Sequence, residues 1–246
     1  MLAEGIFSKI RGYFDAALDL LLPPHCCGCG RALERLWWCE ECYLGLSRIR
    51  APRCEVCSFP FDGEVGGGAM ACPNCRGGVF YFEFVVAVFR SRGRVRELVH
   101  ELKYGRRSWA SRPLGLMASE GLGDERMVAY GPQVIVPVPL HFLRERDRGF
   151  NQSELIAREV GRAAGLPVVG LLERVRATTT QTQFDRRERK RNLQGAMRVR
   201  QSRGMKGRRI LLVDDVLTTG ATLNECARVL VEAGYPRPAG LTVARG

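Results

Sequence analysis

The chain has 246 residues, of which 46% are hydrophobic and 26% are charged. These are the values of a globular protein and exclude a disordered or fibrous chain, and no apolar run approaches the roughly 18 residues of a membrane span. Lys and Arg number 38 against 26 Asp and Glu, a formal net charge of +12, which bears on solubility and on polyanionic partners but not on fold.

The positive charge is concentrated in two segments. Residues 174–209, called the basic segment below, contain 13 Lys and Arg against two acids, and residues 90–112 contain eight against two. The rest of the chain is therefore net negative. Each segment is either a solvated basic face or a surface that meets phosphates.

The N-terminal segment, residues 1–22, has apolar residues at steps of three or four from Leu2 to Leu21, which predicts one amphipathic helix. Pro23 and Pro24 end it. Its apolar face either packs on the body of the protein or docks on a partner or a membrane surface, which would be a peripheral contact.

Residues 23–80 are rich in Cys, Gly and Pro and are predicted to form a small domain held by metal. Four Cys-x-x-Cys pairs occur here: Cys26 and Cys29, Cys39 and Cys42, Cys54 and Cys57, Cys72 and Cys75. Two pairs supply the four thiolates of one tetrahedral zinc site, so eight cysteines predict two structural zinc ions with no open coordination position. The pairs combine either in chain order, as two successive ribbons, or interleaved, first with third and second with fourth. Without a secretion signal the thiols stay reduced, and a cytoplasmic location is expected.

Residues 81–246 alternate between strand and helix patterns. Strands are predicted at 84–89, 134–138, 210–213 and 241–244, and helices at 95–102, after Trp109, at 152–164 and at 222–233, with a loop of about 25 residues from Arg174. This alternation predicts an α/β domain with a parallel sheet covered by helices on both faces.

The segment 210–222 joins an apolar strand to a helix through a polar loop. The acid pair, Asp214 and Asp215, is predicted at the carboxyl end of the strand, where open α/β sheets bind ligands. These acids can accept hydrogen bonds from two vicinal sugar hydroxyls and favour a nearby magnesium ion. The phosphate loop, residues 218–222, offers backbone N–H groups and hydroxyls that can surround a phosphate; its members are Thr218, Thr219, Gly220, Ala221 and Thr222. The pattern predicts a ribose-5-phosphate site.

This stretch resembles the 5-phosphoribosyl-1-pyrophosphate (PRPP) binding motif of type I phosphoribosyltransferases. The wider chain resembles the ComF family, the competence-protein-F group of bacterial phosphoribosyltransferase-like proteins. The resemblance rests on the cysteine pairs, on LKYGRR at 102–107, on VPVPL at 136–140, on RGFNQ at 148–152 and on matching positions of the basic segment; the matching positions are Arg174, Arg176, Thr178, Gln181, Glu188, Arg189 and Asn192.

The resemblance implies a type I phosphoribosyltransferase-like sheet preceded by a double zinc ribbon, PRPP or a related phosphorylated ribose as ligand with magnesium, and a link to DNA uptake in natural transformation. Candidates for binding the pyrophosphate are Lys103, Arg148, Asn151 and Gln152, and a loop carrying Thr178, Gln181, Arg189 and Asn192 is expected to close over the ligand.

Two functions follow from this resemblance. The first is an enzyme that transfers phosphoribosyl to an acceptor which the motifs do not specify. The second is a non-enzymatic protein that senses PRPP or binds single-stranded DNA, with other competence proteins as partners.

Overall fold

The computed structural model describes residues 25–34, 37–61, 70–176, 193–200 and 205–246. The chain divides into two units, Met1–Leu46 and Ser47–Gly246. The predicted helix over 1–22 lies outside the described residues, and the predicted domain boundaries after residues 22 and 80 remain predictions. None of the helices within the described ranges is long and apolar enough to cross a membrane.

In the first unit, the described residues form two tight turns and one short helix, α1 (Glu40–Leu44). The N–H of Gly30 donates to the carbonyl of Cys26 and closes the first turn. A side chain at Gly28 would place its Cβ 2.6 Å from the Sγ of Cys42. Glycine is therefore required there, because the turn backbone passes directly against a cysteine.

The second unit contains a four-stranded parallel sheet in the order β1–β6–β5–β2. Its strands are β1 (Val85–Arg90), β2 (Val134–Pro137), β5 (Ile210–Leu217) and β6 (Ala239–Arg245). They are rich in apolar residues and nearly all of these are buried, as expected of parallel strands covered on both faces. The predicted α/β fold is confirmed.

Helices and short turns connect the strands. They are α2 (Gly93–Tyr104), α3 (Ser111–Ser119), α4 (Glu125–Tyr130), α5 (Phe142–Arg148), α6 (Gln152–Ala164) and α7 (Ala221–Glu232), with 3-10 turns at Ser108–Ala110 and Glu120–Gly123. α6 has the bounds that the sequence predicts, because both of its ends carry local signals. Asn151 caps its first turn, and Gly165 ends it at a φ of 66°.

A two-stranded antiparallel hairpin, β3 (Leu172–Arg174) with β4 (Met197–Val199), was not predicted from the sequence. It brings together the two ends of the long predicted loop, so that Arg174 lies opposite Met197. Each strand has only three residues. A pattern that short carries no readable periodicity, and only the pairing itself defines these strands.

The two faces of the sheet pack against different partners. On one face, Ile210 and Leu212 belong to a core cluster with Leu223 and Leu230 of α7. That cluster also contains four cysteines, Cys54, Cys57, Cys72 and Cys75. α6 packs against α3, β5 and β2. The second group of cysteines is therefore part of the core that supports β5 and α7.

Candidate functional site

The cysteines form two groups of four in chain order. The first quartet is Cys26, Cys29, Cys39 and Cys42, the second is Cys54, Cys57, Cys72 and Cys75, and within each the Sγ atoms all lie within 4.8 Å of one another. Of the two pairings left open by the sequence, the structure shows the sequential one.

The sulfur positions fit a tetrahedral zinc ion. The Sγ atoms of Cys26 and Cys39 are 3.6 Å apart, as are those of Cys57 and Cys72. Four sulfurs at about 2.3 Å from one zinc ion would be about 3.8 Å from each other. Four thiolates without an open position indicate structural zinc.

The two quartets differ in their surroundings. In the first, Cys29 is exposed and Cys42 half-buried, whereas all four cysteines of the second are buried. A hydrogen bond with Cys54 raises the pKa of the Cys57 thiol to about 11, and the bond with Cys57 lowers the pKa of Cys54. Thiolates packed this closely repel one another unless a cation joins them, so metal binding by the second quartet is coupled to folding of the core around it.

The acid pair lies within β5, which continues to Leu217 and does not end before the acids as predicted. Successive side chains of a strand point to opposite faces. Asp214 Oδ1 accepts a hydrogen bond from Ser153 Oγ at 2.7 Å. Asp215 is buried, and its Oδ2 lies 2.7 Å from Nζ of Lys103, in the last turn of α2. The two acids thus have separate partners and different environments.

Burial and neighbouring charges shift the pKa values of Asp214 and Lys103. Burial, followed by the charge of Asp215, raises the pKa of Asp214 to about 7, against the opposing effect of Ser153 and Lys103. Burial alone would lower the pKa of Lys103, but the charges of Asp215 and Asp214 outweigh it and hold that pKa above its ordinary value. The site therefore contains one charged ion pair and one carboxyl that titrates near neutrality.

The phosphate loop connects β5 to α7. Gly220 is the N-cap of α7 with a φ of 77°, a left-handed conformation that favours glycine. The N–H of Ala221 donates to Thr219 Oγ1 at 3.4 Å, and Thr218 is exposed. The loop therefore lies at the positive end of a 12-residue helix, an arrangement that favours anions.

Three of the predicted pyrophosphate residues lie at the junction of α5 and α6: Arg148 ends α5, Asn151 is the N-cap of α6 and Gln152 begins α6. Arg148 donates to the side-chain carbonyl of Gln152, and its guanidinium lies 5.8 Å from the centre of the Tyr104 ring. Asn151 uses both ends of its amide within the fold, accepting from Ser153 N–H and donating to the Val138 carbonyl. Their roles remain predictions.

Four residues of the predicted closing loop, Thr178, Gln181, Arg189 and Asn192, lie outside the described residues. Within the described part, Glu225 of α7 holds the distal end of that loop. Its Oε1 accepts from the Gly195 N–H at 2.8 Å, and its carboxylate pairs with Arg228.

Sequence reasoning missed three polar contacts near the site. Ser153 directly follows the RGFNQ match and lies two positions after the N-cap Asn151, so it could have been considered as part of the same site. Glu225 falls in an ordinary helical pattern. Arg245 is buried, donates to the Leu217 carbonyl at 3.1 Å and stacks on Phe59 at 5.6 Å. These partners are distant in sequence, so no local pattern marks them.

Two protein-family models match the chain. The double zinc ribbon domain matches residues 17–78 and the phosphoribosyl transferase domain matches residues 146–244. The described cysteine quartets lie in the first range, and the acid pair and phosphate loop lie in the second. The fold and the site thus define a phosphoribosyltransferase-domain protein with a double zinc ribbon.

Relatives extend over most of the chain. It is 34% identical to the DNA utilization protein YhgH of Salmonella typhi over 220 residues, which are 87% of this chain and 94% of that protein. It is 29% identical to competence protein F of Haemophilus influenzae over 80% of this chain and 91% of that protein. Competence protein ComFC of Bacillus subtilis is 36% identical over 41% of this chain and 39% of its own length. The chain belongs to the ComF family.

Solved structures are also similar to part of the chain. An allosteric regulatory enzyme of purine biosynthesis matches with 23% identity and a TM-score of 0.37, covering 55% of this chain and 25% of that one. The adenine phosphoribosyltransferase of Leishmania tarentolae matches with 18% identity and a TM-score of 0.33, covering 54% and 55%.

Proposed function

We propose that this chain binds PRPP, or a related phosphorylated ribose, together with Mg²⁺. The observation that carries the proposal is the acid pair in β5 with the phosphate loop two residues further on, at the start of α7. Carboxylates in the C-terminal half of a parallel strand and N–H groups at a helix start match the two ends of a ribose 5-phosphate.

Each group has a distinct role in this proposal. Asp214 and Asp215 accept hydrogen bonds from the ribose hydroxyls, and the phosphate loop holds the 5′-phosphate. Lys103 neutralises Asp215 in the ligand-free protein and is close enough to the acids to meet the pyrophosphate of a bound ligand. Asp214 and Asp215 supply the oxygen ligands that Mg²⁺ prefers, and the ion would neutralise charge on the pyrophosphate.

The chemistry that this site would support is phosphoribosyl transfer to an acceptor. The bond between ribose C1 and pyrophosphate breaks, and the sugar passes through an oxocarbenium-like state. Arg148 and Lys103 would stabilise the leaving pyrophosphate. Thr178, Gln181, Arg189 and Asn192 would close over the ligand and exclude water. The acceptor class is open, and we name no general base.

Calorimetry with PRPP and Mg²⁺ tests ligand binding. Asp215→Asn should weaken binding at least about tenfold, because it removes a charge that accepts hydrogen bonds. Asp147→Asn, a change of an exposed carboxylate on α5, is the matched control and should bind as the parent protein does. Equal affinity in all three proteins would rule out the ribose assignment.

Pyrophosphate release distinguishes an enzyme from a sensor. PRPP, Mg²⁺ and a panel of bases and amines are incubated with the protein, and release that depends on one acceptor establishes transfer. Binding without acceptor-dependent release supports the sensing role.

A second candidate function is binding of single-stranded DNA, as a DNA-uptake protein working with other competence proteins. The names of the relatives, competence protein F and DNA utilization protein, support this role. A specific surface favours it: the Tyr104 patch, made of Tyr104, Arg106, Arg107 and Arg148. Tyr104 is 68% exposed, and aromatic rings among arginines stack on bases and bind phosphates.

Fluorescence anisotropy with a labelled oligonucleotide tests the patch. Tyr104→Ala should weaken binding about fivefold or more, the loss of one stacked base. Phe142→Ala, which removes another exposed aromatic ring, is the control. If both variants bind as the parent protein does, the patch is not the DNA surface.

The thiolate quartets also support a reducing compartment, and we propose the cytoplasm.

A further inference from the structure

A cleft of about 660 Å³ lies between the second zinc ribbon and the start of α7. One wall is the chain that follows Cys72, from Pro73 to Tyr81. The opposite wall is Thr219, Gly220 and Ala221 of the phosphate loop, with Asn224, Glu225 and Arg228 behind them. Its volume is in the range of small-molecule sites.

The cleft shares only the phosphate loop with the proposed PRPP site. Among the described residues that line it, none belongs to the acid pair or to α2. A phosphate held by the loop therefore has two directions open to its substituent: towards the acid pair, as PRPP requires, or into this cleft. A ligand that extends into the cleft would exclude PRPP without touching Asp214 or Asp215.

The lining has the composition of a nucleobase site. Val79, Phe80 and Tyr81 give an apolar wall with aromatic rings, on which a planar base can stack. The side-chain carbonyl of Asn224 accepts from the Tyr81 N–H at 2.7 Å, which fixes the Asn224 amide and leaves its NH₂ group to meet a ligand. Gln194 adds a further amide, and amides pair with the donors and acceptors of base edges.

The charge of the lining suits a ligand with one anionic group. Arg76 is an exposed cation on the ribbon wall. Arg228 lies beside Glu225 and Glu232 and is neutralised by them. The lining thus has one positive charge that Glu225 and Glu232 do not neutralise, that of Arg76, in addition to the anion-binding capacity of the phosphate loop.

We propose that this cleft binds a nucleoside 5′-monophosphate, with its phosphate on the phosphate loop and its base against Phe80 and Tyr81. The inference rests on the proposed function, because it uses the same loop. The nucleotide competes with PRPP, and the second zinc ribbon supplies the specificity for the base.

The experiment compares ligands by calorimetry on the full-length zinc-loaded protein. The probes are AMP, GMP, CMP and UMP, with ribose 5-phosphate as the ligand that lacks a base and PRPP with Mg²⁺ as the competitor. At least one nucleotide should bind about tenfold more tightly than ribose 5-phosphate, the gain expected from one stacked base. PRPP should displace it.

Three variants locate the base. Tyr81→Leu keeps the apolar packing but removes the aromatic ring, and should lower nucleotide affinity about fivefold while leaving ribose 5-phosphate binding unchanged. Phe142→Leu, an exposed ring on α5, should change neither. Asp214→Asn should weaken PRPP binding and leave nucleotide binding intact. A nucleotide whose ribose lay over the acid pair would instead bind this variant more weakly.

The outcomes separate the two proposals. Nucleotide affinity equal to that of ribose 5-phosphate, or unchanged in Tyr81→Leu, overturns the cleft assignment while PRPP binding stands. Nucleotide binding lost in Asp214→Asn places the base on the acid side and also overturns it. If neither PRPP nor any nucleotide binds, the proposed function fails as well.

Discussion

At the scale of single residues, the two acids of β5 are adjacent in the chain but chemically unlike. Asp215 is buried beside the ammonium of Lys103, so its charge is compensated. Asp214 has a neutral hydroxyl, Ser153, as its hydrogen-bond donor, and burial raises its pKa to about 7. Asp215 thus pairs with a cation, whereas Asp214 bonds to a hydroxyl and has a raised pKa.

The first prediction concerns stability and pH. Between about 3.8 and about 7, folded Asp214 retains a proton that the unfolded chain has released. The contribution of Asp214 to the free energy of unfolding therefore falls as pH rises through this window and is lost above it. Asp214→Asn removes this titration. The free energy of unfolding, measured by urea denaturation at pH 4 to 8, should therefore vary less with pH than in the parent protein, by on the order of a few kcal/mol. Asp147→Asn should retain the parent slope; equal slopes in all three would contradict the raised pKa.

A second prediction concerns Ser153 and assumes PRPP binding. Ser153→Ala removes the hydrogen bond to Asp214 at 2.7 Å, which favours the ionised carboxylate. The PRPP affinity at pH 7 should fall about tenfold, and the midpoint of its pH dependence should move upward. Ser119→Ala is the control, because Ser119 bonds only to the Gly115 carbonyl of its own helix. A lower affinity with an unmoved midpoint would indicate a merely structural role.

At the scale of elements, the phosphate loop is positioned from both of its ends by the second ribbon. Leu217 precedes the loop, Leu223 follows it, and both belong to the core cluster that contains the second quartet. The bond from Tyr81 N–H to Asn224 links the ribbon to α7. The ribbon is thus part of the support of the candidate site.

The third prediction compares the two quartets. The parent protein should contain two zinc ions, and Cys39→Ser and Cys72→Ser should each contain about one. Cys39→Ser should unfold its ribbon and leave the sheet intact. Cys72→Ser should lower the melting temperature of the sheet unit and weaken phosphate binding. Metal analysis, circular dichroism and calorimetry measure these effects; equal phosphate affinity in the two variants would refute the support role.

A fourth prediction concerns Gly220. Its φ of 77° is strained for any residue with a side chain, although the nearest atom to a new Cβ would be 3.7 Å away, at Leu217 Cδ1. Gly220→Ala should therefore cost about 1 kcal/mol of stability through backbone conformation alone. Gly170→Ala, at an open position without positive φ, should be neutral or slightly stabilising. Thermal denaturation compares them, and equal melting temperatures would contradict the left-handed cap.

At the scale of the whole molecule, the net charge of +12 is carried by segments that surround the site in sequence. The basic segment, residues 174–209, begins at the last residue of β3, includes β4 and ends immediately before β5. Residues 90–112 include α2 and every member of the Tyr104 patch except Arg148. Pyrophosphate and a DNA backbone are both polyanions, so the same charge serves either ligand.

The fifth prediction concerns salt. If the basic segment binds single-stranded DNA, the logarithm of affinity should fall linearly with the logarithm of salt concentration. Replacing Arg187, Arg189 and Arg191 with Ser should flatten that slope by about two, at roughly 0.7 for each phosphate contact. If these arginines serve only PRPP, the DNA slope is unchanged and PRPP binding weakens. A DNA affinity indifferent to salt would remove the segment as a nucleic-acid surface.

The sequence by itself determined the parts of this protein that short spacings encode. Cys-x-x-Cys turns specify thiolate ligands, the Asn cap and the terminal Gly bound α6, and the acids and hydroxyls of 214–222 mark a phosphoribose motif. In each of these, the pattern depends on residues within a few positions of one another, and the phosphoribose motif remains a prediction. The strand and helix alternation likewise predicted the parallel sheet, because periodicity reports burial on two faces.

Tertiary structure alone decided which cysteine pairs combine, which partner each acid has, and where the cleft lies. Ser153 and Asp214 are 61 residues apart, and the second ribbon meets the phosphate loop only because both pack on one face of β5. Such contacts follow from burial of apolar surface over the whole unit, a non-directional force that leaves no pattern at any one position. The pKa of Asp214 likewise depends on burial and on distant charges, so it was set by the fold and not by the local sequence.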